Sequence, residues 1–410
     1  MLAKKERLRT EQCSVVRNHT SAQGLITPPN AASRIERVGM TKGKGAAVNW
    51  PKMAIEPTSG ALVRANPASE ADEPLLGKPD AVSRIVPAKP SAEPRMKPDA
   101  EALPSGQFRA RMDYVMEKVQ ADDATRTLRT ILTPDPRRYE VIEKDGEPHY
   151  LDKYLRVIVS FTEIKENLAQ SMLGMPIYML RPTIDSAGQY AADRLVAVRS
   201  ELAGGEYTPP TEKPSSQKDP HGHEGPLQLV FLSIDIIGAT AQRKLNPADF
   251  ERAYKVFMRE LLTLVGQFHG GVIKATGDGF IACVDHPAFT TQCDNGVDLG
   301  LSLLRLLTKS INPALSEAGL PELNVRIGAD YGMAEIRTVE VPTTGYSTKE
   351  LASDALNRSV KIQETCGVNQ LRIGRTLYEL LHVKWLERAI EVDFDGALVG
   401  SPGYRVYEVC

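Results

Sequence analysis

Apolar positions crowd toward the C-terminal end of the chain, and their spacing there predicts an ordered run of elements. The stretch "LQLVFLSIDI" (227–236) is apolar almost throughout and has the length of a strand, which suits a strand buried on both faces. Asn246-Pro247 opens a helix that runs to about His269, with asparagine as cap and proline in the first turn. "VIKATGDGFIACV" (272–284) predicts a hairpin turning at Thr276 to Gly279. A long helix covers roughly 288–318. "LNVRIGADYGMAEIR" (323–337) predicts two strands around Gly332, followed by a helix over about 350–365. "NQLRIG" (369–374) reads as a strand, "RTLYELLHV" (375–383) as a short helix and "GYRVYEV" (403–409) as a closing strand. Strands interleaved with helices predict an α/β sandwich built on one sheet over residues 226–410.

The pattern weakens upstream. Residues 107–133 have helical apolar spacing. Residues 137–161 predict a hairpin around Asp145-Gly146 and then a strand. Helices are expected through 162–173 and 186–205. Residues 105–204 thus form a small accessory or regulatory domain, in which no catalytic constellation is visible. Residues 205–225, "GEYTPPTEKPSSQKDPHGHEG", are a linker by composition. His221 and His223 sit two apart in it, a weak metal signal on a loop. Residues 1–104 repeat proline every few positions with few aromatics, and cannot bury enough apolar area to offset the entropy of ordering. This segment is expected to be a disordered tail. "GMTKGKG" (39–45) lacks the glycine spacing of a phosphate loop and has no strand before it, so it reads as a basic segment.

Composition narrows the function classes. The chain has 410 residues, 42% of them hydrophobic, and a formal charge of −2. Nothing in that balance points to nucleic acid or to a membrane surface. No run approaches the length of a membrane span. The basic start has no apolar core of a secretory signal. Cys13, Cys283, Cys293, Cys366 and Cys410 show neither CxxC nor zinc spacing, which suits a reducing, cytoplasmic setting.

Two carboxylates stand out against the apolar background. Asp235 ends the first strand, in "SIDIIGAT", and Asp278 sits in the hairpin turn. An unpaired carboxylate at the end of a buried strand is costly, so each needs a partner. Gly238, Gly277 and Gly279 clear space beside them. Two hard oxygen ligands fit Mg²⁺ shared with a polyphosphate. The backbone N–H groups of 236–240, at a turn into a helix, suit phosphate oxygens. Taken singly, each aspartate is an ordinary turn residue.

The set as a whole, "SIDIIGAT", then "KATGDGFIA" about forty residues on, then "VRIGADYG" and "SDALNRSVK", resembles the class III nucleotidyl cyclases, the adenylate and guanylate cyclase catalytic domains. The resemblance covers about 226–410 and implies a ferredoxin-like, palm-type α/β domain. It implies that Asp235 and Asp278, with the backbone of Ile236, hold two Mg²⁺ or Mn²⁺ ions per site. Asn357 would orient the ribose and Lys361 would stabilise the transition state. Lys274 and Glu350 would read the base, Arg326 would meet a terminal phosphate, and Gly238, Ala239 and Thr240 would line the phosphates. The family's sites are shared between two chains, so the implied active form is a head-to-tail homodimer. A nucleoside triphosphate is the implied substrate, with no role for nucleic acid or membrane. The N-terminal half is the place for a regulatory partner.

The chain departs from the family at four points. Lys361 stands where arginine is usual, keeping the charge but losing the planar fork. Glu350 replaces a shorter acidic residue. The closing strands carry no phosphate-binding lysine. The stretch before Asn357 lacks the usual aromatic and glycine pattern. A lysine and a carboxylate can pair with the edge of adenine, which favours ATP. Guanylate cyclase activity, a bacterial pyrimidine cyclase acting in antiphage signalling, and a catalytically silent cyclase-homology domain are the alternatives.

Overall fold

In this computed structural model the described residues are 34–37, 53–56, 111–122, 127–164, 166, 181–215, 225–286 and 288–410. They fall into two compact units, each with its own core.

The first unit is built from seven strands. β1 (Arg34–Arg37), β2 (Met53–Glu56), β3 (Tyr114–Asp122) and β4 (Thr127–Pro134) form an antiparallel sheet in the order β1-β2-β4-β3. β5 (Tyr139–Lys144), β6 (Glu147–Asp152) and β7 (Ile158–Ser160) form a second sheet. The expected hairpin is present, with Asp145 at φ 55° and Gly146 at φ 75°, the left-handed pair that a two-residue hairpin loop demands. Leu132, Tyr139, Tyr150 and Ile164 make the core. Arg138 is fully buried and donates to Asp113 at 2.9 Å and Asp152 at 2.7 Å, so its charge is matched on both sides.

Two sequence expectations change here. Residues 107–133, read as a helix, contain β3 and β4 instead. Charged residues and methionine raise helix propensity locally, and cross-strand pairing overrides it. β1 and β2 lie inside the segment read as a disordered tail. Of the helix expected at 162–173, residues 161–164 and 166 are helical and the remainder lies outside the described residues, as do "GMTKGKG", His221 and His223.

The second unit is an α/β sandwich on a mixed sheet, as the sequence pattern predicts. In chain order it holds α1 (Ala187–Leu202), β8 (Leu227–Ile236), α2 (Ala239–Leu245), α3 (Pro247–Gln267), β9 (Gly270–Ala275), β10 (Gly279–Val284) and α4 (Phe289–Leu306). A π-helical turn (Leu307–Ile311) leads into α5 (Asn312–Glu317), followed by β11 (Val325–Val341), β12 (Tyr346–Ala352) and α6 (Asp354–Glu364). β13 (Gln370–Gly374), α7 (Arg375–Glu379), α8 (Val383–Leu386), β14 (Ala389–Val392) and β15 (Val406–Val409) complete it. The strand order is β14-β15-β13-β11-β8-β10-β9, with β12 paired to β11 alone. The run β8-α3-β9-β10-α4-β11 is a β-α-β-β-α-β arrangement with every neighbouring strand antiparallel, which is the ferredoxin-like pattern. Central β8 is buried at all but three of its positions, one of which is Asp235. Helix α3 buries Phe250, Ala253, Phe257, Leu261 and Leu264, one stripe at helical spacing.

Three boundaries differ from the sequence reading. Helix α1, assigned to the accessory domain, belongs to this second unit, where Arg194 donates to buried Glu260 through two nitrogens at 2.7 and 3.0 Å. The first part of the expected linker runs against the same unit: the carbonyls of Thr208 and Glu212 accept from Arg194 and Gln267, and Ser215 N–H donates to Gly266 O. β11 is one continuous strand through Gly332, not two strands around it. Beyond Ala334 it leaves the main sheet and pairs with β12 as a two-stranded ribbon, exposed along most of its length.

Candidate active site

The site begins where β8 ends. Residues on its two flanks set the position of Asp235: Gly279 of β10 stands opposite it on one side and Arg326 of β11 on the other. The β9–β10 hairpin closes through Thr276 N–H to Gly279 O at 2.9 Å. Gly277 takes φ 95°, a left-handed conformation that other residues adopt only under strain. Gly279 is fixed for another reason, since a Cβ there would lie 1.9 Å from Ile234 O. The missing side chain lets the turn lie against the end of β8, and Ile236 N–H donates to Asp278 O at 3.2 Å. Asp278 and Asp235 are thereby brought side by side, with the backbone of Ile236 between them.

Their electrostatics follow from that approach. Burial first, and then the neighbouring Asp235 charge, push the Asp278 carboxyl above the usual carboxylate range, while Arg243 pulls the other way. Two like charges held together are stabilised by a cation. Asp235 also accepts from Arg326 Nη2 at 2.5 Å and from Gln363 Nε2 at 3.5 Å. Arg243 donates to Gly277 O at 3.3 Å, on the turn itself. Gln363 and Arg243 are site residues that the sequence reading missed. Neither lies in a quoted motif, and only the packing of α6 and α2 brings them in.

The other expected residues fall in two groups. Gly238 starts α2 at φ 72°, and the N–H groups of Ala239 and Thr240 follow it in the first turn. Arg326 joins the carboxylates directly. By contrast, Lys274 on β9, Glu350 on β12 and Asn357 on α6 are exposed, and among the described residues their side chains have no hydrogen bond or ion pair. Lys361 pairs with Glu364 on its own helix, at 3.1 Å. A single chain therefore brings together Asp235, Asp278 and Arg326, and does not bring Lys274, Glu350, Asn357 and Lys361 into contact with them.

Helix α6, which carries Asn357 and Lys361, is pinned to the sheet between these two. Arg358 is buried and donates to Asp330 of β11, which also accepts from Tyr404 Oη at 2.7 Å and Leu377 N–H at 3.3 Å. The helix cap is Ser353, whose Oγ accepts from Leu356 N–H. The helix thus starts several residues later than expected, after the ribbon has ended.

Among the described residues, no group of three or more His, Cys, Asp or Glu side chains could hold a metal, and no helix is long and apolar enough to cross a membrane. The two aspartates still suit a hard divalent cation, provided a substrate phosphate supplies further oxygens. Cys283, Cys293 and Cys366 are buried.

No family model matches the chain, and no curated protein matches it. Among solved structures, the guanylyl cyclase Cya2 is similar at 16% identity and a TM-score of 0.38, over 45% of this chain and 92% of that one. The adenylyl cyclase CyaB from P. aeruginosa is similar at 15% identity and a TM-score of 0.39, over 45% and 95%. The guanylate cyclase domain of RhGC from Catenaria anguillulae, solved with GTP, is similar at 14% identity and a TM-score of 0.38, over 46% and 98%.

Proposed function

We propose that the second unit is a class III nucleotide cyclase domain that converts a nucleoside triphosphate, with ATP the first choice, to its 3′,5′-cyclic nucleotide and pyrophosphate. The observation that carries this reading is the approach of Asp278 to Asp235 at the end of the central strand, with the Asp278 carboxyl raised by burial and then by its neighbour. Two facing carboxylates repel each other, so the pair favours a cationic ligand.

The ribose 3′-oxygen attacks the α-phosphorus, the bond to pyrophosphate breaks, and the hydroxyl proton leaves to solvent. Asp235, Asp278 and the Ile236 carbonyl would hold two Mg²⁺ or Mn²⁺ ions. Bound there, such ions lower the pKa of the 3′-hydroxyl and neutralise the β- and γ-phosphates. Arg326 and the N–H groups of Gly238, Ala239 and Thr240 bind phosphate oxygens. Asn357 orients the ribose, Lys361 faces the charge that develops on the phosphoryl oxygens, and Lys274 and Glu350 meet the base.

Lys274, Glu350 and Asn357 stand exposed, away from the carboxylates of their own chain, and among the described residues their side chains have no hydrogen bond or ion pair. That separation supports a head-to-tail homodimer in which each site takes its carboxylates from one chain and these residues from the other. The test uses purified full-length protein with Mg²⁺ or Mn²⁺ and each of ATP, GTP, CTP and UTP, read by mass spectrometry beside an Asp278→Ala control. One cyclic product, lost in the control, is the expected result and names the base. No product from any of the four, with the protein folded and dimeric, overturns the reading in favour of a silent signalling domain.

A further inference from the structure

Asp235 already has a cation. Arg326 stands directly opposite it in the β8–β11 register, and its Nη2 lies 2.5 Å from Asp235 Oδ2. Directly opposed positions are the closest that side chains on neighbouring strands come, so the sheet itself builds this pair. Gln363 adds a longer contact to the same oxygen, at 3.5 Å. The lone pairs that a metal would need are thus shared with a guanidinium.

The remainder of that guanidinium is loosely held. Its Nη1 reaches the Glu364 carbonyl only at 3.4 Å, and its Nε is buried without an acceptor. A buried N–H without a partner costs free energy, so Arg326 has donors to offer to any anion that brings several oxygens. Planar guanidinium and phosphate match well, with two parallel hydrogen bonds available.

We infer that Arg326 is a latch on the carboxylate pair. It keeps Asp235 closed to a free divalent cation until a polyphosphate draws the guanidinium away, so that metal and triphosphate enter together. This rests on the reading of Asp235 and Asp278 as metal ligands. The free metal binds weakly to the resting protein, and the ion pair, not the net charge of the pocket, sets that weakness.

Mn²⁺ binding to the full chain without nucleotide, followed by electron paramagnetic resonance of the free ion, tests it. The variants are Arg326→Met and Arg326→Gln, so that the result does not hang on one of them folding, and Arg243→Met, which removes a second cation close to Asp278. Both Arg326 variants are expected to bind Mn²⁺ about tenfold more tightly than the parent chain. Arg243→Met is expected to gain no more than about twofold, as a charge acting across solvent. Equal affinities for parent and Arg326 variants, all lost on adding Asp278→Ala, overturn the latch alone. An equal gain in Arg243→Met also overturns it, since charge would then suffice. Mn²⁺ binding in Arg326→Met that persists when Asp278 is also alanine places the ion elsewhere, and overturns the metal-site reading beneath the latch.

Discussion

The carboxyl of Asp278 is raised by burial and by Asp235, and this has a consequence for the folded state before any ligand arrives. A carboxyl whose pKa is raised on folding binds its proton more tightly in the native chain. The ionised pair therefore costs stability at neutral pH, and the cost disappears at acid pH, where folded and unfolded chains are both protonated. Asp278→Asn should raise the thermal midpoint in chelator at neutral pH, by about 1–2 °C because the site is partly solvated, and should leave it unchanged in acid. Scanning calorimetry at the two pH values checks this; a loss of stability at neutral pH would remove the argument for a strained pair. Lys361 makes a different prediction. Among the described residues its only partner is exposed Glu364, so alanine there should not disturb the fold, while kcat falls about 100-fold with KM little changed. The approach of Asp235 to Asp278 was legible in sequence because short motifs place both beside glycines at a strand end and a turn. Gln363 and Arg243 were not, because no local pattern marks a side chain that joins a site only through helix packing.

At the scale of elements, the hairpin that carries Asp278 owes its position to two glycines with different jobs. Alanine at Gly279 drives a Cβ into Ile234 O and should cost about 3 kcal/mol, with the strand pairing of β8 and β10 disturbed. Alanine at Gly277, where nothing lies within 4 Å, meets only the left-handed backbone penalty, about 1 kcal/mol. Chemical denaturation of the two variants should show this order. The strands β8, β9, β10 and β13 and helix α3 were legible because continuous or alternating apolar runs and clear caps mark them. β3 and β4 were misread because the apolar positions of 107–133 also fit a helical spacing, and only cross-strand partners decide otherwise. β12 was missed because an exposed ribbon buries little on either face, so it leaves no hydrophobic period to detect. The start of α6 slipped for the same reason, since the ribbon that precedes it looked like helix.

For the whole molecule, the division of functional residues between contact and isolation within one chain leads to a mixing experiment. An Asp278→Ala chain still carries Asn357 and Lys361, and an Asn357→Ala chain still carries both aspartates. Each alone should be inactive. Mixed in equal amounts under exchange, they should regain about one quarter of the parent activity, since half the dimers are mixed and each has one complete site. No recovery, with exchange verified by size and mass, would place all the residues of a site on one chain. The expectation that residues 1–104 act only as a tether predicts that removing them leaves turnover intact in purified protein. β1 and β2 lie within that segment and pair with β4 through β2, so the deletion also strips strands from the first unit's sheet.

One strand spans distances that the rest of the molecule does not. β11 runs unbroken from Val325 to Val341, about 50 Å, with Arg326 one residue from its inner end and the ribbon at its outer end. β8 holds β11 from Val325 to Ala334, and the ribbon continues the same strand outward, so one unbroken backbone joins the exposed ribbon to the residue that pairs with Asp235.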